Sequence, residues 1–182
     1  MPFIQTAIAG LVIFEPRVFE DARGYFFESY NEKLFADNGI AAKFVQDNQS
    51  KSSYGVVRGL HFQKGEHAQA KLVRVLSGKV LDVAVDLRED SATFGKYEAV
   101  ELSAENNRQL FIPRGFAHGF SVLSDTAVFA YKCDNLYCKE AEGGIDLQDP
   151  DLNIDWRVPA DRMILSDKDK CHPRFKEFTP CF

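Results

Sequence analysis

The sequence predicts a mainly β fold, a sandwich or jelly-roll barrel with a few short helices. Apolar and polar residues alternate from Leu81 to Leu87, and this period of two is typical of a strand with two unlike faces. The Ser77-Gly78 pair just before it is a tight-turn signal that connects it to the strand-like run Lys71–Leu76. Short strands separated by frequent turns recur along the chain, which is the pattern of a sandwich or jelly-roll barrel.

The remaining elements are predicted from local patterns. One helix is expected at about Asn31–Asn38, since Asn31 suits an N-cap, Glu32 suits the N-terminal dipole and Gly39 can end the helix. Prolines recur after Asp149, so this tail is expected to form short helical turns and coil that wrap the barrel. The further strand candidates are Leu11–Glu15, Gly24–Tyr30, Val56–Gln63, Tyr97–Leu102, Gln109–Pro113, Phe116–Leu123 and Ala127–Cys133.

The length and composition predict one globular domain, residues 1–182. A chain of 182 residues is long enough for one well-packed core and short for two. It has 45% hydrophobic and 27% charged residues, with no apolar run long enough to span a membrane. The N-terminus lacks the basic start and apolar core of a secretory signal, so a cytoplasmic protein is expected. The net charge of −5 argues against nucleic-acid or membrane partners, although a local basic cluster could bind an anionic small molecule.

The four cysteines are expected to be ordinary free thiols. None forms a Cys-x-x-Cys pair, which fits a reducing compartment. Cys171 and His172 could form a metal corner with Cys181. Structural zinc sites usually show paired, closely spaced ligands, so free thiols are the better interpretation.

Polar chemistry is most concentrated in residues 46–74. His61, Lys71, His118 and Tyr131 each interrupt an otherwise apolar or small face of a predicted strand. Burying such a group without a partner costs on the order of a few kcal/mol. We therefore expect the four to meet one another, water or a ligand inside the barrel, although any single one could be a satisfied core residue. A histidine and a lysine on neighbouring strands could remove a proton and stabilise the remaining negative charge, which makes the chain an enzyme candidate.

Arg58 does not fit this pattern directly. Strict alternation places it on the opposite face of its strand from His61. A bulge at Gly59 would bring the two side chains to one face, because glycine often marks a bulge inside a strand. Without that bulge, Arg58 would be a structural residue.

A metal centre is not expected. The segment from Pro113 to His118 resembles the second half of the cupin metal motif, Pro-x-Gly-x-x-His. The first half should supply a His-x-His pair, but the corresponding site reads His61-Phe62-Gln63. Two histidines without a clear third ligand are a poor set for a divalent cation, so a metal-free cupin without a cofactor is expected.

The chain resembles the dTDP-4-dehydrorhamnose 3,5-epimerase family over essentially its whole length. The resemblance implies a metal-free cupin homodimer that inverts C3 and C5 of a dTDP-linked 4-keto-6-deoxyhexose. Each motif alone is weak, and their order and spacing together are specific. The matching segments are DARGYFFESY (21–30), QDNQSKSSYGVVRGLHFQ (46–63), QAKLVRVLSGKVLDVAVDLR (69–88), TFGKY (93–97), IPRGFAHGFSVLS (112–124), YKCDNLY (131–137) and LSDKD (165–169).

The resemblance also implies catalytic roles. His61 matches the family's general base, and Asp169 matches the carboxylate that orients it. Lys71 would stabilise the oxyanion that forms on proton abstraction. Tyr131 matches the acid that returns a proton to the opposite face of the sugar ring.

Ten residues match the family's substrate-binding positions. Arg23, Arg58 and Lys168 match contacts to the pyrophosphate and sugar, and Tyr137 matches a ring that stacks on thymine. In the family, the strand Arg23–Glu28 can reach the site of the neighbouring subunit. The other matches are Gln46, Asp47, Asn48, Glu28 and Glu142 for the nucleotide, with solvated charge as the alternative for Asp47, Glu28 and Glu142, and His118 for the sugar.

Two other functions are compatible with the sequence. A related sugar-nucleotide epimerase or isomerase would share the base and the barrel and differ only in regiochemistry or base. A non-catalytic sugar-binding cupin would not need His61, Lys71, Tyr131 and Asp169 together. The tail Cys171–Phe182 matches the family poorly and receives no role.

Overall fold

The computed structural model describes residues 3–182, and most of its regular structure is β-strand. The only α-helix in this range is α1 (Glu32–Asp37), and short 3-10 helices cover Gly65–His67, Lys139–Ala141, Ala160–Arg162, Asp169–Cys171 and Phe175–Glu177. The strands are β1 (Phe3–Gln5), β2 (Val12–Phe14), β3 (Phe19–Asp21), β4 (Gly24–Phe26), β5 (Gln46–Ser53), β6 (Val57–Gln63), β7 (Lys71–Ser77), β8 (Lys79–Asp86), β9 (Tyr97–Ser103), β10 (Gln109–Ile112), β11 (Phe116–Val122), β12 (Thr126–Cys133) and β13 (Glu142–Gly144).

The strands form two antiparallel sheets that enclose a common core. One sheet has the order β1-β2-β10-β7-β12-β5, and the other has the order β13-β6-β11-β8-β9. Val73 and Phe129 of the first sheet share a buried cluster with Val80 and Phe120 of the second. Strands β3 and β4 form a separate hairpin. The predicted jelly-roll fold is confirmed.

Strand β8 shows that alternation alone does not reveal whether a polar face is buried. Leu81, Val83 and Val85 pack beneath the tail, while Asp82 and Asp86 are fully buried on the other face. The two faces are therefore unlike, as predicted, but neither is exposed to solvent. Burial of the polar face makes its two carboxylates structurally important.

The helix α1 forms as its capping residues predict. The side chain of Asn31 accepts a hydrogen bond of 3.0 Å from the backbone N–H of Leu34, which satisfies one free donor of the first turn. Gly39 has a φ of +85°, the left-handed conformation that ends helices. Phe35, on the inner face, packs with Phe14 and Phe3 against the six-stranded sheet.

Some strands had no predictive signal in the sequence. Strand β5 is polar throughout and lies at the edge of its sheet, paired with β12. An edge strand that presents polar side chains on both faces has no apolar alternation to detect. The short strands β1, β3 and β13 were also not predicted, and the predicted strand Gly24–Tyr30 ends early, at Phe26.

The tail wraps the outer face of the five-stranded sheet, as predicted. Trp156 is buried there, and its indole N–H donates a hydrogen bond of 2.7 Å to the carbonyl oxygen of Leu147. Phe178 and Phe182 both pack edge-on against Phe62 of β6. The final segment, to which the sequence assigned no role, thus covers the outer side of the strand that carries His61.

Two further expectations concern the chain as a whole. All four cysteines are free thiols. Across residues 3–182, no helix is both long and apolar enough to cross a membrane.

Candidate active site

A bulge in β6 decides which side chains of that strand face the barrel interior. His118 lies opposite His61, and Phe120 lies opposite Arg58. His61 is three residues after Arg58 on β6, but their partners on β11 are only two residues apart, so β6 has one extra residue, which is a bulge. Gly59 has a φ of +133°, and a Cβ there would come within 2.5 Å of Gly119 Cα. Arg58 and His61 therefore line the same cavity. This confirms the predicted bulge at Gly59, which brings the two side chains to one face of the strand.

The four polar side chains singled out in the sequence meet at one cavity of about 410 Å³ between the sheets. His61 and His118 come from the five-stranded sheet, whereas Lys71 and Tyr131 come from the six-stranded sheet. The histidines and the tyrosine thus approach the cavity from opposite walls. Four other predicted site residues also line it: Asn48, Arg58, Lys168 and Asp169.

His61 is paired with a buried carboxylate. Its Nε2 lies 2.6 Å from Oδ1 of Asp169, which is contributed by the tail and held by a 3.1 Å hydrogen bond from its own N–H to Ser166 Oγ. Burial favours a higher pKa for Asp169, but the hydrogen bond and charge of His61 outweigh it and lower the pKa. The ionised carboxylate accepts the Nε2 proton, so the lone pair of His61 is on Nδ1.

A second histidine–carboxylate pair lies beside the first. His118 Nε2 is 2.9 Å from Oδ2 of Asp82, which is fully buried on β8. Burial lowers the pKa of His118, although the charge of Asp82 opposes this shift. Asp82 was not among the predicted site residues. A charged residue in a strand buried on both faces was the signal that could have identified it.

Lys71 and Tyr131 lie together on the opposite wall. Lys71 Nζ is 5.9 Å from the centre of the Tyr131 ring. Burial lowers the pKa of Lys71, and the negative charges of Asp82 and Glu142 oppose this shift. Burial also raises the pKa of Tyr131, so its hydroxyl keeps its proton at neutral pH. The cavity therefore offers a lysine amine and a phenolic proton donor.

A neighbouring cavity of about 260 Å³ shares His61, Lys71 and Tyr131 with the first. Its outer part contains Gln46, Tyr137 and Glu142, all predicted nucleotide-binding residues. The hydroxyl of Tyr137 donates a 3.0 Å hydrogen bond to Glu142, and its N–H donates a 3.1 Å bond to Gln46. Lys168 forms an ion pair with Glu142 and so connects the two cavities.

Three predicted binding residues lie away from these cavities within one chain. Asp47 points to the opposite face of β5, where it forms a 3.0 Å ion pair with Lys132. Arg23 is at the tip of the β3–β4 hairpin, almost fully exposed, and pairs with Asp21. Glu28 follows that hairpin and is also exposed.

His172 is a site neighbour that the sequence did not predict. It belongs to the tail, and its ring packs edge-on against the ring of His61, with centres 5.4 Å apart. Burial and the nearby His61 lower the pKa of His172. Gly144 makes room for the ring, because a Cβ there would overlap it. A tail with poor similarity to the family gave no signal for this contact.

The arrangement suits proton abstraction next to a carbonyl group. One wall offers the Nδ1 lone pair of His61 as a base, and the other wall offers Tyr131 as an acid. Lys71 lies beside Tyr131 as a donor to an oxyanion. The fold and site together define a jelly-roll enzyme of the proton-transfer class.

Comparison with known proteins identifies the family. The family model for dTDP-4-dehydrorhamnose 3,5-epimerase matches residues 5–177. The epimerase of that name from Shigella flexneri is 56% identical over 170 residues, which covers 93% of each chain. The crystal structure of the Elizabethkingia anophelis epimerase is 61% identical, with a TM-score of 0.94 and 97% of each chain covered. The chain belongs to the dTDP-4-dehydrorhamnose 3,5-epimerase family.

The chain is also similar to a protein that was solved with a bound nucleotide sugar. The Legionella pneumophila epimerase, solved in complex with dTDP-4-keto-L-rhamnose, is 48% identical with a TM-score of 0.94. The comparison covers 98% of this chain and 94% of the Legionella protein.

Proposed function

We propose that the chain is an isomerase that converts dTDP-4-dehydro-6-deoxy-D-glucose into dTDP-4-dehydro-L-rhamnose by inverting C3 and C5. The reaction belongs to dTDP-L-rhamnose biosynthesis. The observation that carries this proposal is the placement of His61, backed by Asp169, and Tyr131 on opposite walls of one cavity. Inversion requires a base on one side of the sugar ring and an acid on the other, and these two side chains meet that requirement.

The proposed mechanism uses the 4-keto group of the sugar. This group acidifies the hydrogens on C3 and C5, and Nδ1 of His61 removes one of them. The electron pair of the broken C–H bond moves to the keto oxygen, which becomes an enolate stabilised by Lys71. Tyr131 then donates its proton to the opposite face of the same carbon. Asp169 holds His61 in place and stabilises the imidazolium that forms.

Substrate binding follows from the two joined cavities. The cavity at His61 takes the sugar, with His118, Arg58 and Lys168 as its polar contacts. The neighbouring cavity takes the nucleotide, with the exposed ring of Tyr137 available to stack on thymine. Gln46, Asn48 and Glu142 supply polar groups along this path.

The working enzyme is proposed to be a homodimer. The β3–β4 hairpin exposes Phe19, Tyr25 and Phe26, an apolar surface that is costly to leave in water. The same hairpin carries Arg23, and Glu28 follows it, so docking onto a second copy would bring both to the neighbouring site. The proposed location is the cytoplasm, which four free thiols support.

Deuterium incorporation tests the proposed reaction. The protein is incubated with dTDP-4-keto-6-deoxyglucose in heavy water, and label is followed by NMR. We expect exchange at both C3 and C5, with accumulation of the L-rhamno configuration. Label at only one carbon would indicate a related epimerase of different regiochemistry. Tight binding without any label would indicate a sugar-binding protein.

Tyr131→Phe separates the acid from the base in the same assay. This variant lacks the phenolic proton but keeps the ring, so exchange should continue while inversion is impaired. Full inversion by Tyr131→Phe would contradict the role of Tyr131.

A further inference from the structure

His172 presents a ring nitrogen that has no use in the reaction described above. Its Nε2 is buried, and no hydrogen-bond partner for it occurs within residues 3–182. The nearest carboxylate oxygen is Oδ1 of Asp169, at 3.7 Å, which is too long for a hydrogen bond. The ring of His172 packs edge-on against the ring of His61 and lies directly against Gly144, where a Cβ would overlap it. A buried nitrogen without a partner is costly unless it binds something.

The surroundings of this nitrogen form a set of metal-ligand atoms. One atom from each of His61, Asp169 and His172 lies within 4.8 Å of the other two. Oδ1 of Asp169 is shared, at 2.6 Å from His61 Nε2 and 3.7 Å from His172 Nε2. Ligands around a tetrahedral ion with bonds of about 2.0 Å are separated by roughly 3.3 Å. A small side-chain shift therefore converts the cluster into a three-ligand site.

The donor types define the kind of ion. Two imidazole nitrogens and one carboxylate oxygen are a set that suits zinc, nickel and other divalent first-row transition metals. Calcium and magnesium prefer all-oxygen sites. His61 also faces the cavity, so water can complete the coordination shell from that side.

We propose that His61, Asp169 and His172 form an inhibitory binding site for a divalent transition-metal ion. The ion takes the place of the Nε2 proton of His61, between that ring and Asp169, and this proton passes through solvent to Nδ1, so the ring stays neutral. A neutral imidazole with metal on Nε2 carries its proton on Nδ1. The lone pair that removes the substrate proton is then lost, and the ion and catalysis exclude each other. The inhibitory part rests on the proposed function of His61.

This site differs from the metal position that the cupin motif would supply. That position would use His118, whose Nε2 is held by Asp82 at 2.9 Å. The site also differs from a Cys171–His172–Cys181 corner, since neither cysteine belongs to the ligand cluster. These differences provide the controls.

Nickel titration of the untagged, chelator-treated protein tests the site. Calorimetry should show one nickel ion per chain, and His172→Asn should weaken the affinity at least tenfold. His67→Asn is the matched control, because His67 is on the surface next to Glu66, and it should bind nickel as the wild type does. Cys171→Ser tests for binding by an exposed thiol and should also bind normally.

Ring-nitrogen NMR tests the same site in the wild-type protein, without relying on a folded variant. Zinc should shift the Nε2 signals of His61 and His172 and leave those of His67 and His118 unchanged. The proposal is overturned if His172→Asn binds nickel normally, if Cys171→Ser loses binding, or if zinc leaves the His172 signal in place.

Activity assays separate this proposal from the proposed function. Saturating nickel should abolish deuterium exchange in the wild type, and a chelator should restore it. Each variant is compared with its own metal-free rate, and His172→Asn should resist nickel. Undiminished exchange with bound nickel would overturn the inhibitory role. An absence of exchange in the metal-free protein, with the nickel site present, would instead overturn the proposed function and the inhibition that rests on it.

Discussion

The two histidine–carboxylate pairs of the barrel are built from the same residue types but differ in access. In both pairs a ring Nε2 meets a buried carboxylate oxygen, at 2.6 Å for His61 with Asp169 and 2.9 Å for His118 with Asp82. The side chain of His61 is 30% exposed, whereas that of His118 is only 8% exposed. The carboxylate of the first pair comes from the tail, and that of the second comes from the adjacent strand.

This difference supports the proposed division between a base, His61, and a binding group, His118. Burial lowers the pKa of His118 and so favours the neutral ring, which suits the proposed hydrogen bond to the sugar. His61 has an open side toward both cavities, and Asp169 fixes its tautomer. Under the proposed function, residue type alone is insufficient, and the exposure of the side chain separates the two roles.

The largest effect should come from substituting each of the two histidines in a separate variant. His61→Asn removes the base, so deuterium exchange should fall on the order of 10³-fold. His118→Asn should lose on the order of tenfold, mainly through a higher KM, because it removes a binding contact. Steady-state kinetics and NMR exchange measure both. Equal losses in kcat would contradict the division of roles.

The carboxylate behind His61 should give the next largest effect. Asp169→Asn keeps the shape but removes the charge that stabilises the imidazolium, so kcat should fall about 10²-fold with KM little changed. Asp167→Asn is a matched control, since Asp167 is fully exposed and pairs only with Lys170. A loss confined to KM in Asp169→Asn would show that Asp169 acts in substrate binding.

Subunit mixing tests whether the hairpin completes the site of a partner. Arg23→Ala and His61→Asn should each be nearly inactive alone. After mixing and exchange, half of the dimers are mixed and each has one intact site, so about a quarter of the wild-type activity should return. Gel filtration monitors the oligomer. A fully active monomer, or a mixture with no recovered activity, would eliminate the shared site.

The smallest effect concerns stability and a third buried carboxylate. Burial of Asp86 favours a higher pKa, but hydrogen bonds from Arg88, Ser91 and Thr93 prevail and lower it from 3.8 to about 2. Because the folded pKa is the lower one, its stabilisation is complete above about pH 4 and is lost as the pH falls toward 2. The shift corresponds to about 2 kcal/mol of unfolding free energy.

Asp86→Asn should therefore lower the stability at pH 7 and flatten its decline between pH 4 and pH 2. Denaturant titrations across this range measure both effects. An unchanged acid dependence in the variant would show that other carboxylates are responsible. Activity of the Asp86→Asn variant at pH 7 would also show that Asp86 is not required at the site, in contrast to the role described for Asp82 on the same strand.

Much of the site was predictable because its residues interrupt regular patterns. His61, Lys71, His118 and Tyr131 stand out as polar groups on otherwise apolar strand faces, and the structure brings all four to one cavity. Strand β5 was missed because an edge strand that contributes polar groups has no apolar face. Asp82 was missed because alternation predicts two unlike faces but does not show that the polar face is buried.

The sequence by itself determined the strands with apolar alternation, the capped helix, the family and the polar groups that face the barrel. These are local properties, since they depend on residue type, spacing and order. The tertiary structure decided which groups become partners. Asp169 reaches His61 across 108 positions of sequence, and His172 comes with it, because the tail packs on the outer face of the sheet. The bulge that turns Arg58 inward also depends on the close approach of β11, a contact that strand periodicity does not encode.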